Sequence, residues 1–294
     1  MSSGGPAGPP PMTTLTWTSH QLAAPGATLH YETAGSGPVL ALVGHPMGAA
    51  DFRDLAEHFA TDHTVVLTDP RGFGASPLEN DQDDADPERL ADDLAAVLGA
   101  VTSEPADVFG SSGGAVTALA FAARHPHQAR TVVAHEPPLV EALPDAADLR
   151  TGIDDIVRTL HEHGPEAAFG AFMALAGFEA PEPDPTADRP MHEPSAEDMR
   201  AGYRMLAHGL VPICTYHPDL TALAASTAPR LVVGAGEESG TMLARRCAEA
   251  LAAQLVIPTT LFPGDHAPWV TSMGGDPAPF AARLREVLDE PATA

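Results

Sequence analysis

Short, uninterrupted apolar runs recur along this chain, at Val39 to Val43, Thr64 to Thr68, Ala106 to Phe109, Thr131 to Ala134 and Leu231 to Val233. A run of that length without polar alternation is what a strand buried on both faces shows. Between the runs the spacing turns helical, from about Ala50 to Ala60, through Leu90, Leu94, Val97 and Leu98, along the Ala-rich stretch to Ala123, through Leu243 to Leu251, and from about Pro279 to Leu288. A last strand is expected near Thr259 to Phe262, and Thr13 to Tyr31 reads as an antiparallel opening hairpin turning at Pro25-Gly26. Strands alternating with helices predict an α/β fold, with a mostly parallel central sheet covered by helices on both faces.

The rhythm breaks between 139 and 228. Three helical patterns appear there, around 145 to 163, 165 to 178 and 196 to 209, separated by the Pro-rich, acidic stretch Ala180 to Pro194. The expected organisation is a leader over 1–12, a core made of 13–138 and 229–290, and an inserted helical cap over 139–228. Its apolar residues, Phe169, Phe172, Met173, Leu175, Tyr203, Met205 and Leu206, suit an apolar ligand as well as a cap core.

Charge narrows the choice of partners. Fifteen Lys and Arg against 40 Asp and Glu leave a net charge of -25, which repels nucleic acid and anionic membrane surfaces. No window is apolar enough to span a bilayer, and the first twelve residues lack the pattern of a signal peptide. The two cysteines, Cys214 and Cys247, suit reduced, packing thiols in a cytoplasmic protein. The histidines form no metal-binding pattern, and no metal or cofactor is expected.

The chemistry gathers where predicted strands end. Gly110-Ser111-Ser112-Gly113-Gly114 stands between a β-prone run and an Ala-rich helix, the context of a sharp turn that presents a serine nucleophile. Ser112 is that serine, and Gly113 follows it with a backbone N–H for an oxyanion. A serine hydroxyl needs a base, and the base an orienting acid. His266, on the loop after the last predicted strand, is the expected base. For the acid, Glu136 follows one strand and Glu237-Glu238 follow another, while the position sought for an Asp is Ser239; Glu136 is favoured, with Glu238 in reserve. Pro46 has no N–H to give, so Met47, backed by Gly48, is expected to complete the oxyanion hole, with His45 bracing its loop. Arg71, in the turn Asp69 to Ser76, is expected to hold neighbouring backbone. Trp269, Met47, Tyr203 and Met205 are the expected substrate contacts.

In this order, Gly44-His45-Pro46-Met47-Gly48, Asp69 to Ser76, Gly110 to Gly114 and His266 resemble the α/β-hydrolase superfamily. Within it, His135-Glu136-Pro137-Pro138 and Pro263 to Ser272 resemble the lactonases that open the macrocyclic ester of zearalenone. That resemblance implies Glu136 as the triad acid, an apolar ester or lactone as substrate and a homo-oligomer. The chain departs from those lactonases in having no tryptophan in its cap, since its two are Trp17 and Trp269, and in carrying Pro46 where they carry glycine. The same machinery serves a general carboxylesterase, and the same scaffold a binding protein without turnover.

Overall fold

The computed structural model describes residues 15–178, 195–225 and 229–290. The expected leader and the Pro-rich stretch of the insert lie outside them. In chain order the elements are β1 (Thr18–Ala24), β2 (Ala27–Gly35), β3 (Val39–Val43), α1 (Arg53–Glu57), β4 (Thr64–Thr68), α2 (Pro87–Val101), β5 (Ala106–Ser111), α3 (Gly113–Arg124) and β6 (Ala129–His135). The inserted helices follow: α4 (Ala146–His163), α5 (Pro165–Ala176), α6 (Ala196–Arg204), α7 (Leu210–Cys214) and α8 (Leu220–Ala225). The sheet then resumes with β7 (Arg230–Gly236), α9 (Leu243–Leu255), β8 (Thr259–Phe262) and α10 (Pro277–Asp289).

The eight strands form one sheet in the order β1-β2-β4-β3-β5-β6-β7-β8. β1 and β2 run antiparallel to their neighbours, and the remaining pairs from β4 to β8 are parallel. The apolar runs are continuous because alternate residues enter different cores. Leu40, Leu42, Val65, Leu67, Phe109 and Val133 face the core shared with α1 and α10, whereas Ala41, Val43, Val66, Val108 and Val132 face that of α2, α3, α8 and α9. A third core, built on Ile153, Ile156, Leu160, Leu206 and Leu210, belongs to the inserted helices.

Several expectations shift. The helix sought over 50–60 is a single-turn 3-10 segment followed by the short α1, and the hairpin continues to Gly35. The helical pattern over 196–209 ends as α-helix at Arg204, passes through a π-turn at Met205–Gly209 and continues as α7. Met205, taken as a substrate contact, is buried in the core of the inserted helices. Both cysteines are free and buried.

Trp269 requires a larger correction. It is wholly buried, stacked on Phe52 at 5.7 Å and close to Phe280 at 4.7 Å and Phe109 at 5.4 Å. Its neighbour His266 faces the site, but the ring itself fills the core beneath α10, where aromatic burial stabilises the fold. Trp269→Ala should therefore cost about 3–5 kcal/mol in urea unfolding, while Trp269→Phe should keep the turnover rate of the wild type. A selective rise in KM with unchanged stability would instead mark the ring as a ligand contact.

Candidate active site

Parallel strands in register bring distant residues to one edge of the sheet. Ser112 N–H donates to His135 O at 3.0 Å, and Glu136 N–H donates to Gly234 O at 3.0 Å. Each bond extends the ladder one residue past its strand, so Ser112 and Glu136 stand on adjacent strand ends with the end of β7 beyond them. Gly236 N–H closes the set by donating to Glu136 Oε1 at 2.8 Å. The chain then returns through β8 and delivers His266, whose Nδ1 lies 2.6 Å from Glu136 Oε2.

Both turning points adopt left-handed backbone. Ser112 has φ 56° with ψ −124°, and Glu136 has φ 51°. Neither is glycine, so each conformation carries a cost that the surrounding packing must sustain, and such residues concentrate at functional sites. Glycines make the sustaining contacts possible. A Cβ on Gly110 would stand 2.4 Å from Gly114 O, and one on Gly114 would stand 2.2 Å from Val43 O.

Electrostatics separate the members of the site. The Glu136 carboxylate is fully buried. Burial alone would raise its pKa, but the His266 hydrogen bond and the neighbouring imidazoles more than offset this and bring it down to about 2. It therefore stays ionised, able to fix the tautomer of His266 and to stabilise an imidazolium. Glu238, the reserve acid, is exposed and its backbone N–H donates to Gly264 O. The Ser112 hydroxyl has no hydrogen-bond partner among the described residues; catalytic hydrogen bonds are often long without substrate and tighten with it.

The N–H of Gly113 opens α3 and is one of the four that a helix leaves unpaired. Gly48 is excluded as a second oxyanion donor because its N–H is donated to Asp51 Oδ2 at 2.9 Å. His45 and Met47 keep their backbone N–H groups unbonded among the described residues. Of these two, His45 is the residue pressed on the turn: a Cβ on Gly113 would lie 2.7 Å from His45 O. Sequence reasoning passed over His45 as a second donor, although Pro46 after it was a visible signal. Asp69 anchors the far side of this loop through Ala49 N–H at 2.8 Å and Ala75 N–H at 2.9 Å.

The inserted helices lean on the site. Phe178, just past α5, meets the His266 ring edge-on at 5.7 Å, and Gly209 of the π-turn sits over His45. Arg204 reaches across and donates twice, to Asp81 O at 2.8 Å and Asp83 O at 2.6 Å. The loop that carries Asp81 and Asp83 thus anchors the insert through its backbone carbonyls. Tyr203 is half-exposed on α6. Arg71, expected to hold backbone, mainly grips the buried Asp93 carboxylate at 2.6 and 2.5 Å. Among the described residues no group of side chains is suited to a metal ion and no helix is long and apolar enough to cross a membrane.

Comparison with known proteins adds to this geometry. The family model for the alpha/beta hydrolase fold matches residues 37–179. The chain is 30% identical over 280 residues to the uncharacterized hydrolase YraK of Bacillus subtilis, covering 94% of this chain and 98% of that protein. It is 36% identical over 158 residues to a pimeloyl-[acyl-carrier protein] methyl ester esterase of Chromobacterium violaceum, covering 52% of this chain and 59% of the esterase. The solved structure of an alpha/beta hydrolase from Sphaerobacter thermophilus superposes with a TM-score of 0.65 at 27% identity, over 92% of this chain and all of the other.

Two measurements follow from the charges. If Glu136 orients the base, Glu136→Gln should lower kcat by about three powers of ten, and Glu238→Gln by less than twofold; the reverse ranking would move the acid. Burial holds His45 and His135 at pKa values of about 4, against an ordinary 6.5. Their folded pKa values lie below the unfolded ones, so the unfolded chain binds more protons in this window. The stability they contribute is complete above pH 6.5 and is lost as pH falls toward 4, by about 1.4 kcal/mol per pH unit for each histidine. Urea midpoints measured across that window should fall accordingly, and less steeply in His135→Phe.

Proposed function

The chain belongs to the alpha/beta hydrolase family, and on that footing we propose that it is a serine hydrolase of carboxylic esters, with a macrocyclic lactone of the zearalenone type as its substrate class. One observation carries the hydrolytic reading: a serine on a left-handed strand-to-helix turn shares the sheet edge with a histidine held at 2.6 Å by a buried carboxylate.

In this mechanism Ser112 Oγ attacks the ester carbonyl and gives its proton to His266 Nε2. Glu136 keeps the imidazole oriented and stabilises its positive charge. The oxyanion meets the Gly113 N–H together with one from the loop at His45 to Met47. His266 then protonates the departing alkoxide, and water, deprotonated by the same imidazole, releases the acid from the acyl-enzyme. A lactone opened this way gains one water and yields a single hydroxy-acid.

The lactone rests on the likeness of His135-Glu136-Pro137-Pro138 and of Pro263 to Ser272 to the zearalenone lactonases, and on the apolar inserted helices beside His266. A second reading, hydrolysis of a simple alkyl ester, draws on the similarity to a methyl ester esterase. Purified protein incubated with zearalenone and with a short aryl ester separates them by mass spectrometry. The lactone reading predicts rapid gain of one water by zearalenone, abolished at least ~10⁴-fold in Ser112→Ala. Turnover of the aryl ester alone would retain the triad and discard the lactone. Binding without any product would leave a ligand-binding protein on this scaffold.

A further inference from the structure

His45 lies in the loop after β3 and is only 3% exposed, yet its Nε2 is buried without a hydrogen-bond partner. Its surroundings explain why none is available. The edge of Phe73 meets the ring at 4.9 Å. Gly113 and Gly209 press on it from the nucleophile turn and from the inserted helices: a Cβ on Gly113 would stand 3.2 Å from Nδ1, and one on Gly209 would stand 2.8 Å from Cε1. Neither glycine has a side chain that could donate to it. Arg204, the nearby cation, gives Nη1 and Nη2 to Asp81 O and Asp83 O, and its Nε, likewise without a partner, lies against Gly72.

The imidazole is also fixed as a neutral group. Burial and the Arg204 charge hold its pKa at about 4, and its own backbone carbonyl favours the proton on Nδ1. That tautomer leaves Nε2 as a bare acceptor. A buried acceptor with no partner is costly, and in a native structure calls for an explanation such as a bound polar group. The ring that carries this one lies against Gly113, one residue from the nucleophile, with Nε2 on the side of Gly209 and the inserted helices.

We propose that His45 determines specificity, its Nε2 accepting a hydrogen bond from a substrate hydroxyl within a few atoms of the ester carbon. The substrate class is then a hydroxylated ester, a refinement that rests on the serine-hydrolase reading. The His45 backbone N–H survives any substitution of the side chain, so the hydroxyl preference can be altered with the oxyanion donors in place.

The test compares kcat/KM for three matched pairs: methyl salicylate with methyl benzoate, methyl mandelate with methyl phenylacetate, and methyl lactate with methyl propanoate. The wild type should prefer the hydroxylated member of at least one pair by about ten- to a hundredfold, the loss expected when a buried acceptor goes unpaired. In His45→Phe that ratio should fall to near one. No preference in any pair, or an unchanged ratio in His45→Phe, overturns the proposal. Should His45→Phe not fold, the ¹⁵N resonance of Nε2 in Ser112→Ala protein gives the answer: an upfield shift on saturation with the preferred ester supports the bond, and no shift refutes it. Turnover that persists in Ser112→Ala would instead overturn the hydrolase reading, which these two failures leave untouched.

Discussion

The contact between His266 Nδ1 and the fully buried Glu136 carboxylate is the interaction on which the site's arrangement depends. A carboxylate withdrawn from water is unfavourable unless its oxygens are both engaged. Here one oxygen takes the histidine and the other takes the Gly236 N–H. Two consequences follow from that division. The acid cannot move without exposing an unpaired charge, and His266 is tied to the end of β6, although it arrives on a separate loop after β8. The left-handed backbone at Glu136 aims the side chain across the strand end, so its strain and the hydrogen bonds belong to one structure.

The same economy of space governs the nucleophile. Ser112 can hold its left-handed turn because Gly110 and Gly114 let α3 close onto β3 and β5 with no side chain between them. Gly113 then leaves room that the His45 side chain occupies. The inserted helices complete the arrangement from above, with Phe178 on the base and Gly209 on His45. Arg204 locks that lid of helices to the loop between β4 and α2 through the backbone carbonyls of Asp81 and Asp83.

Most of the fold was legible because strands buried on both faces must be apolar throughout, and the runs at Val39, Thr64 and Thr131 had no other economical reading. Ser112, His266 and Glu136 were legible for a related reason: each follows the end of a strand, where this architecture collects loops. What escaped the sequence depends on packing. Nothing in Pro263 to Trp269 tells which of its two rings faces the site, and the structure turns His266 toward Glu136 and Trp269 into the core. The π-turn at Met205 interrupts a periodicity that looks unbroken to Gly209. That His45 Nε2 has no partner exists only in three dimensions. α7 and α8 are too short for a periodic signal.

The central claim is that the strained serine is chemically activated by the Glu136–His266 pair. Intact-protein and peptide mass spectrometry after treatment with a fluorophosphonate reads this directly, because such reagents phosphorylate activated serines irrespective of the natural substrate. The account predicts one adduct per chain, located on Ser112, with labelling strongly slowed in His266→Ala and in Glu136→Gln. An unlabelled protein, an adduct on another residue, or labelling at an undiminished rate without His266 would contradict it.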